Sequence, residues 1–246
     1  MQPSYVTPPV PARARGLGSL LGDALRRPGG RRGVSVLSLV LLVAGVLMFA
    51  YPVGTDLYSR YRQDQLQAGF SDPGLQQAYL ERKVGIGDGL TLLRIPKLDV
   101  KVLVVEGTTP AALRAGAGHY PSSPLPGEAG NVAIAGHRTT FGRPFNRMDE
   151  LVPGDVVTLE TPFAIYTYKA VPAFGGHENP WVVSPTDFSV VSQGAGRLLT
   201  LTTCHPKGSA RQRLVMRFAL SGQQVKKTMP ALPSPSSTQP ATGSNG

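Results

Sequence analysis

Cysteine is almost absent: Cys204 is the single one in 246 residues. It cannot close a disulfide within its own chain, so a disulfide-stapled fold is excluded, and the thiol is either a liability or a working group. Acidic residues are few, 15 against 25 Lys and Arg, and form no cluster of the kind that binds calcium. No metal and no cofactor is expected. Internal repeats are missing too, which rules out a repeat array. There is no DNA- or RNA-binding motif and no row of aromatics interleaved with basic residues. The net charge of +10 therefore needs another explanation than nucleic acid.

The charge is concentrated at the start. Arg13, Arg15, Arg26, Arg27, Arg31 and Arg32 stand against Asp23 alone before residue 34. Immediately afterwards, Val34 to Val53 reads VSVLSLVLLVAGVLMFAYPV, with no charge from Gly33 to Thr55. A bilayer core of about 30 Å needs about 20 such residues at 1.5 Å each. The run is longer than a signal-peptide core and no small-x-small cleavage site follows it, so it is expected to stay as an anchor. Arginines crowd its N-terminal flank, whereas Arg60 and Arg62 on the far side are mixed with Asp56 and Asp64. That asymmetry predicts a single-pass membrane protein with a cytoplasmic N-terminus and everything after Val53 outside the cell.

Five regions are expected. Residues 1–32, rich in Pro, Gly and Arg, read as a disordered basic tail, and 33–55 as the transmembrane helix. Residues 56–88 read as a helical spacer broken at Asp72-Pro73-Gly74. Residues 89–221 hold the folded domain, and 222–246, rich in Pro and Ser, read as a second disordered tail. No second apolar run follows the first. The 29 Gly and 23 Pro are too many for a helical bundle. Within the domain, short apolar runs lie between turn residues: Leu90–Ile95, Val100–Val105, Asn131–Ala135, Asp155–Glu160, Ile165–Phe174, Arg197–Thr203 and Arg213–Leu220. Helical period is confined to pieces such as Pro110–Ala115 and Pro185–Ser192. This spacing predicts an all-β domain, a closed antiparallel barrel or a sandwich.

Chemistry gathers at three strand ends. Asn131-Val-Ala-Ile-Ala-Gly-His137 is an apolar strand closing on a histidine. Leu199-Thr-Leu-Thr-Thr-Cys204 closes on the cysteine, and Gln212-Arg213-Leu-Val-Met opens the next strand with an arginine. A thiolate, a histidine and an arginine together suit acyl transfer: the thiolate attacks, the imidazole shuttles the proton and the guanidinium holds the oxyanion. Of the other histidines, His205 adjoins Cys204 and so points to the opposite face. His177 lies in a Gly-rich loop and His119 in a turn before Tyr120-Pro121. Arg211 and Arg217 compete with Arg213 for the arginine's place, and Arg211 and Arg213 share a strand parity, so periodicity does not separate them.

The pentapeptide Thr200-Leu-Thr-Thr-Cys204 resembles the TLxTC signature of sortases. Ala135-Gly-His137 upstream and Gln212-Arg213-Leu downstream fit that family's histidine and arginine in its order. The resemblance covers roughly Leu90 to Leu220 and implies an eight-stranded β-barrel. It also implies Cys204 as nucleophile, His137 as general acid and base, and Arg213 as stabiliser of the substrate carbonyl and oxyanion. Gly118-His119-Tyr120-Pro121, with Leu125-Pro-Gly-Glu-Ala-Gly-Asn131 and Gly136-His-Arg-Thr-Thr-Phe-Gly142, is similar to the class E sortases of high-GC Gram-positive bacteria. These anchor proteins through an LAxTG-type signal. By that similarity Tyr120 helps read the residue after leucine, and Thr203 lines the groove. The implied partners are secreted proteins with a C-terminal sorting signal and a cell-wall precursor amine. Pilus polymerisation is disfavoured, since Asp72-Pro73 is followed by Gly74 rather than an aromatic residue. Two other readings compete. An L,D-transpeptidase has Ser-x-Gly-Cys at its nucleophile, whereas this chain has Leu-Thr-Thr-Cys. A non-enzymatic tethered barrel leaves Cys204 as an inert buried thiol.

Overall fold

The computed structural model describes residues 28–226, so the expected tails at 1–32 and 222–246 lie for the most part outside the described residues. The chain divides into two compact units between Tyr51 and Pro52. A single helix, α1 (Pro28–Gly69), belongs to both. In the first unit its apolar side chains are exposed all round, Leu42 at 64% and Phe49 at 81% among them. The stretch is long and apolar enough to cross a membrane, and its apolar side chains are not buried within the molecule. A helix apolar on every side has no dry place in water.

The second unit begins inside α1. Pro52 lies within the helix, whose backbone continues to Gly69 without interruption. Helix α2 (Pro73–Leu80) then starts where the sequence signalled a break. The Asp72 side chain caps it by accepting the N–H groups of Gly74 and Leu75, at 2.8 and 3.2 Å.

The strands follow: β1 (Gly89–Ile95), β2 (Val100–Glu106), β3 (Ala117–His119), β4 (Gly130–Ala135), β5 (Val156–Glu160) and β6 (Ala164–Ala170). After a small separate hairpin, β7 (Ala173–Phe174) with β8 (His177–Glu178), come β9 (Trp181–Val183), β10 (Arg197–His205) and β11 (Gln212–Val225). Eight of them form a ring in the order β10-β4-β3-β2-β1-β5-β6-β11, closed by the pairing of β10 with β11, while β9 pairs with residues 213–215 of β11 on the edge away from β10, ahead of β6. The barrel is therefore eight-stranded and closed, and sandwich geometry is excluded. It is not purely antiparallel as the strand pattern suggested: β2 pairs with β3, and β4 with β10, in parallel. The first parallel pair needs a crossover, and α3 (Pro110–Ala115), capped by Thr109, supplies it.

Strand β11 also runs on to Val225, past the expected start of the tail, because Gly222–Val225 pair with Thr167–Ala164 of β6. This stretch carries no apolar alternation, so backbone pairing rather than burial holds it.

The barrel is filled by alternate residues of each strand: Val132 and Ile134 of β4, Leu199 and Leu201 of β10, and Leu214, Met216 and Phe218 of β11. Each such side chain is worth about 1.5–3 kcal/mol when fully buried. The other parity of the same three strands faces outward, and there the polar residues gather.

Candidate active site

Register decides which side chains meet. In the parallel pair, Thr200 stands beside Ala133 and Thr202 beside Ala135. Two residues further along each strand are Cys204 and His137, both of outward parity. In the antiparallel pair, Cys204 is directly opposite Arg213. Thiol, imidazole and guanidinium thus share one face of three adjacent strands, at the end where β4 and β10 run out. All three are half-buried.

Each is held by what surrounds it. The Gly136 N–H donates to the Thr202 carbonyl at 3.1 Å, which fixes the backbone just before His137. The imidazole lies against Phe141, ring centroids 5.2 Å apart. Its pKa is lowered from the ordinary histidine value, first by burial and then by the charge of Arg114 on α3. Arg213 folds back through Nη1 onto the carbonyls of Ala210 and Gln212, at 3.0 and 3.1 Å. Arg211, which periodicity left equivalent, precedes the first residue of β11 and is exposed. The strand start therefore separates the two.

The remaining sequence candidates fall in different places. Tyr120 follows β3, and its N–H donates to the Ala133 carbonyl at 3.0 Å. Since Gly118 pairs with Ala135, this continuation of the register gives Tyr120 the outward parity of Ala133, and it is half-buried. Thr203 is different. It has inward parity, is buried, and donates its hydroxyl to the Gly136 carbonyl at 2.8 Å. Its side chain does not line the outward face as expected, because strand alternation turns it away from the face of Cys204. Thr202 occupies that face instead.

Of the other histidines, His205 hydrogen-bonds Arg138 through Nδ1 at 2.9 Å, and His177 stacks on Trp181 beside the exposed hairpin. His119 is buried, 2.8 Å from the Glu106 carboxylate and from Ser123 Oγ.

Several supporting residues escaped sequence reasoning. Arg138 is buried and donates to the Cys204 carbonyl at 3.2 Å, while pairing with Asp149 at 2.9 Å. It ties the end of β10 to the loop after β4. Asn131, Asn179 and Arg217 hold segment 171–196 across the outward face. Asn131 Nδ2 donates to the Val190 and Ser192 carbonyls, both at 3.2 Å. Asn179 bonds the backbone of Arg217 on both sides, and Arg217 Nη2 reaches the Val190 carbonyl at 2.8 Å. Burial lowers the Arg217 pKa to about 10, and Phe174 covers its guanidinium at 4.0 Å. The sequence offered Arg217 only as a rival to Arg213, and an arginine directly after the candidate histidine was the one hint of Arg138. Among the described residues, no group of three or more His, Cys, Asp or Glu could hold a metal.

Chemically, the arrangement offers a nucleophile, a proton carrier and a cation around one open strand end. Comparison with known proteins gives the family. Residues 93–221 match the sortase domain. Sortase SrtE1 of Streptomyces coelicolor is 32% identical over 212 residues, which is 78% of this chain but only 58% of that protein. Sortase SrtE2 of the same organism is 30% identical over 224 residues, covering 79% of this chain and 85% of the relative. The crystal structure of sortase E1 from Streptomyces coelicolor with a tripeptide in its active site superposes with a TM-score of 0.52 at 33% identity. That match covers 56% of this chain and 91% of the other.

Proposed function

This chain belongs to the sortase family, and from that premise we propose that it is a membrane-anchored cysteine transpeptidase that joins exported proteins to a cell-wall precursor amine. The observation that carries this reading is the shared outward face of Cys204, His137 and Arg213, with Cys204 opposite Arg213 in register. The proposed substrate is a C-terminal signal of the LAxTG or LPxTG type.

The Cys204 thiolate attacks the carbonyl carbon of the Thr–Gly bond, and Arg213 donates to the oxyanion that forms. The C–N bond then breaks, and the glycine amine leaves with a proton from the His137 imidazolium. The product is a thioester on Sγ. An incoming amine attacks that thioester, gives a proton back to His137 and releases the thiolate. One guanidinium fork can serve the carbonyl and the oxyanion together. Tyr120 is proposed to contact the residue after leucine, and Thr203 to steady the turn before His137 through Gly136. The arginines before the apolar stretch support a cytoplasmic N-terminus and an extracellular barrel.

The test is to incubate the protein with LAxTG and LPxTG peptides and candidate amines, and to weigh the products. A covalent adduct on Cys204 and a peptide–amine product are expected. Cleavage that proceeds in a Cys204→Ala variant would refute the reading.

A further inference from the structure

The loop after His137 has an unusual backbone. Phe141, Gly142 and Arg143 follow one another with φ of 51°, 74° and 48°. Left-handed backbone is unfavourable for residues with a Cβ, so two such residues beside a glycine need outside contacts to hold them. Those contacts come from α1. The Asp56 carboxylate accepts the Gly142 N–H at 3.0 Å and the Arg143 guanidinium at 2.8 Å. Turns of this kind aim their N–H groups at an anion, and here the anion is a side chain of the same molecule. Tyr58 meets the Phe141 ring edge-on, with centroids 6.4 Å apart at 80°. A Cβ on Gly142 would stand 2.9 Å from Ser59 Oγ, so helix and loop approach closely.

This part of α1 is itself anchored. Gln63 donates to the carbonyls of Leu103 and Ala115 at 3.0 and 2.8 Å, and accepts the Leu103 N–H at 2.7 Å. On the loop's other side, the Phe141 ring lies against the His137 imidazole at 5.2 Å. A continuous line of contacts therefore joins the helix to the imidazole.

We propose that Asp56 and Tyr58 are positioning residues for His137, so that the helix following the apolar stretch completes a site the barrel alone does not hold. The inference rests on His137 being the proton carrier. Arg114 of α3 acts on the imidazole by its charge. Register sets Cys204 of β10 and Arg213 of β11 on its face, Arg138 follows it in its own loop, and Tyr58, Asp56 and Arg143 stand beyond Phe141. Burial is the first cause of the lowered His137 pKa, and the Phe141 ring covers one side of the imidazole. Releasing the loop exposes the imidazole and raises its titration toward the ordinary value.

The experiment uses the full chain in detergent micelles, with His137 followed by NMR against pH and transpeptidation followed as kcat and KM. Tyr58→Ala and Asp56→Ala should both move the His137 titration upward. Both should also lower kcat about tenfold through misplacement of the imidazole, with KM little changed. Tyr58→Phe keeps the ring and should behave as the parent chain. Asp56→Asn, which keeps the shape without the charge, guards against a variant that fails to fold, and should show the same shift in smaller measure. An unmoved titration with unmoved kcat in folded Asp56 and Tyr58 variants overturns the proposal. A moved titration with unchanged kcat would uphold the docking and instead remove His137 from the reaction.

Discussion

On the inner face of β10, Leu199 and Leu201 are fully buried among apolar neighbours from the other strands of the barrel. On its outer face, Thr200 donates its hydroxyl to the Asn131 side chain at 2.7 Å, and Cys204 faces the strand end opposite Arg213. The same nine residues thus carry two kinds of contact. The leucine contacts are non-directional, and any apolar group of the right volume satisfies them. Thr203, also of inward parity, is the exception, with its hydroxyl bonded to the Gly136 carbonyl. Outer contacts are single hydrogen bonds and register positions, which no substitute of similar size reproduces. The barrel can therefore keep its stability and its chemistry on separate sets of side chains.

Two substitutions on β10 test that separation directly, and others around it sharpen it. Cys204→Ala should abolish adduct formation and transfer, while the thermal midpoint stays within a few degrees. A large loss of stability would show that the outer face also holds the fold. Leu201→Ala should do the reverse, lowering stability by about 2–5 kcal/mol in denaturant titration. Its folded fraction should retain most of the activity, and an inactive but stable variant would break the comparison.

Arg213→Ala should lower the rate about 10²–10³-fold with the pH profile in place, if the guanidinium serves the oxyanion. Lysine should rescue it poorly, and Arg211→Ala should matter little. A dead Arg211→Ala beside a full-rate Arg213→Ala would move the role two residues upstream.

The smallest effect concerns Arg114. His137 has a lowered pKa in the folded state, so it binds fewer protons there than when unfolded, and its contribution to stability is lost as pH falls through the histidine range. In the proposed reaction the imidazolium is also lost earlier as pH rises. Arg114→Gln removes the second cause of the shift. It should raise the His137 titration by NMR and carry the basic limb of the rate profile upward with it. Arg114 is exposed, so added salt should shrink the difference. A shift unaffected by salt would point to burial alone.

Much of this molecule could be read along the chain. The apolar run from Val34 to Val53 is legible because membrane-crossing depends on length and composition, which are local. The main barrel strands are legible because alternation and turn residues are local too. Strands β3 and β9 were not legible, since three residues carry no period. The course of Gly222–Val225 was hidden for a related reason: its polar side chains gave no sign of a strand that pairs through its backbone with β6.

Within the site, the sequence by itself determined the inventory: one thiol, an imidazole after an apolar strand, an arginine at a strand start. It also determined that His205 could not share the face of Cys204, because neighbours in a strand alternate. Only the tertiary structure decided the rest. It set Arg213 within β11 opposite Cys204 and left Arg211 before the strand, turned Thr203 inward, and brought Arg138 to the Cys204 carbonyl. It also set Asp56 against a loop 86 residues away. These outcomes depend on strand register and on contacts between distant segments, and no local pattern of residues encodes a partner so far along the chain.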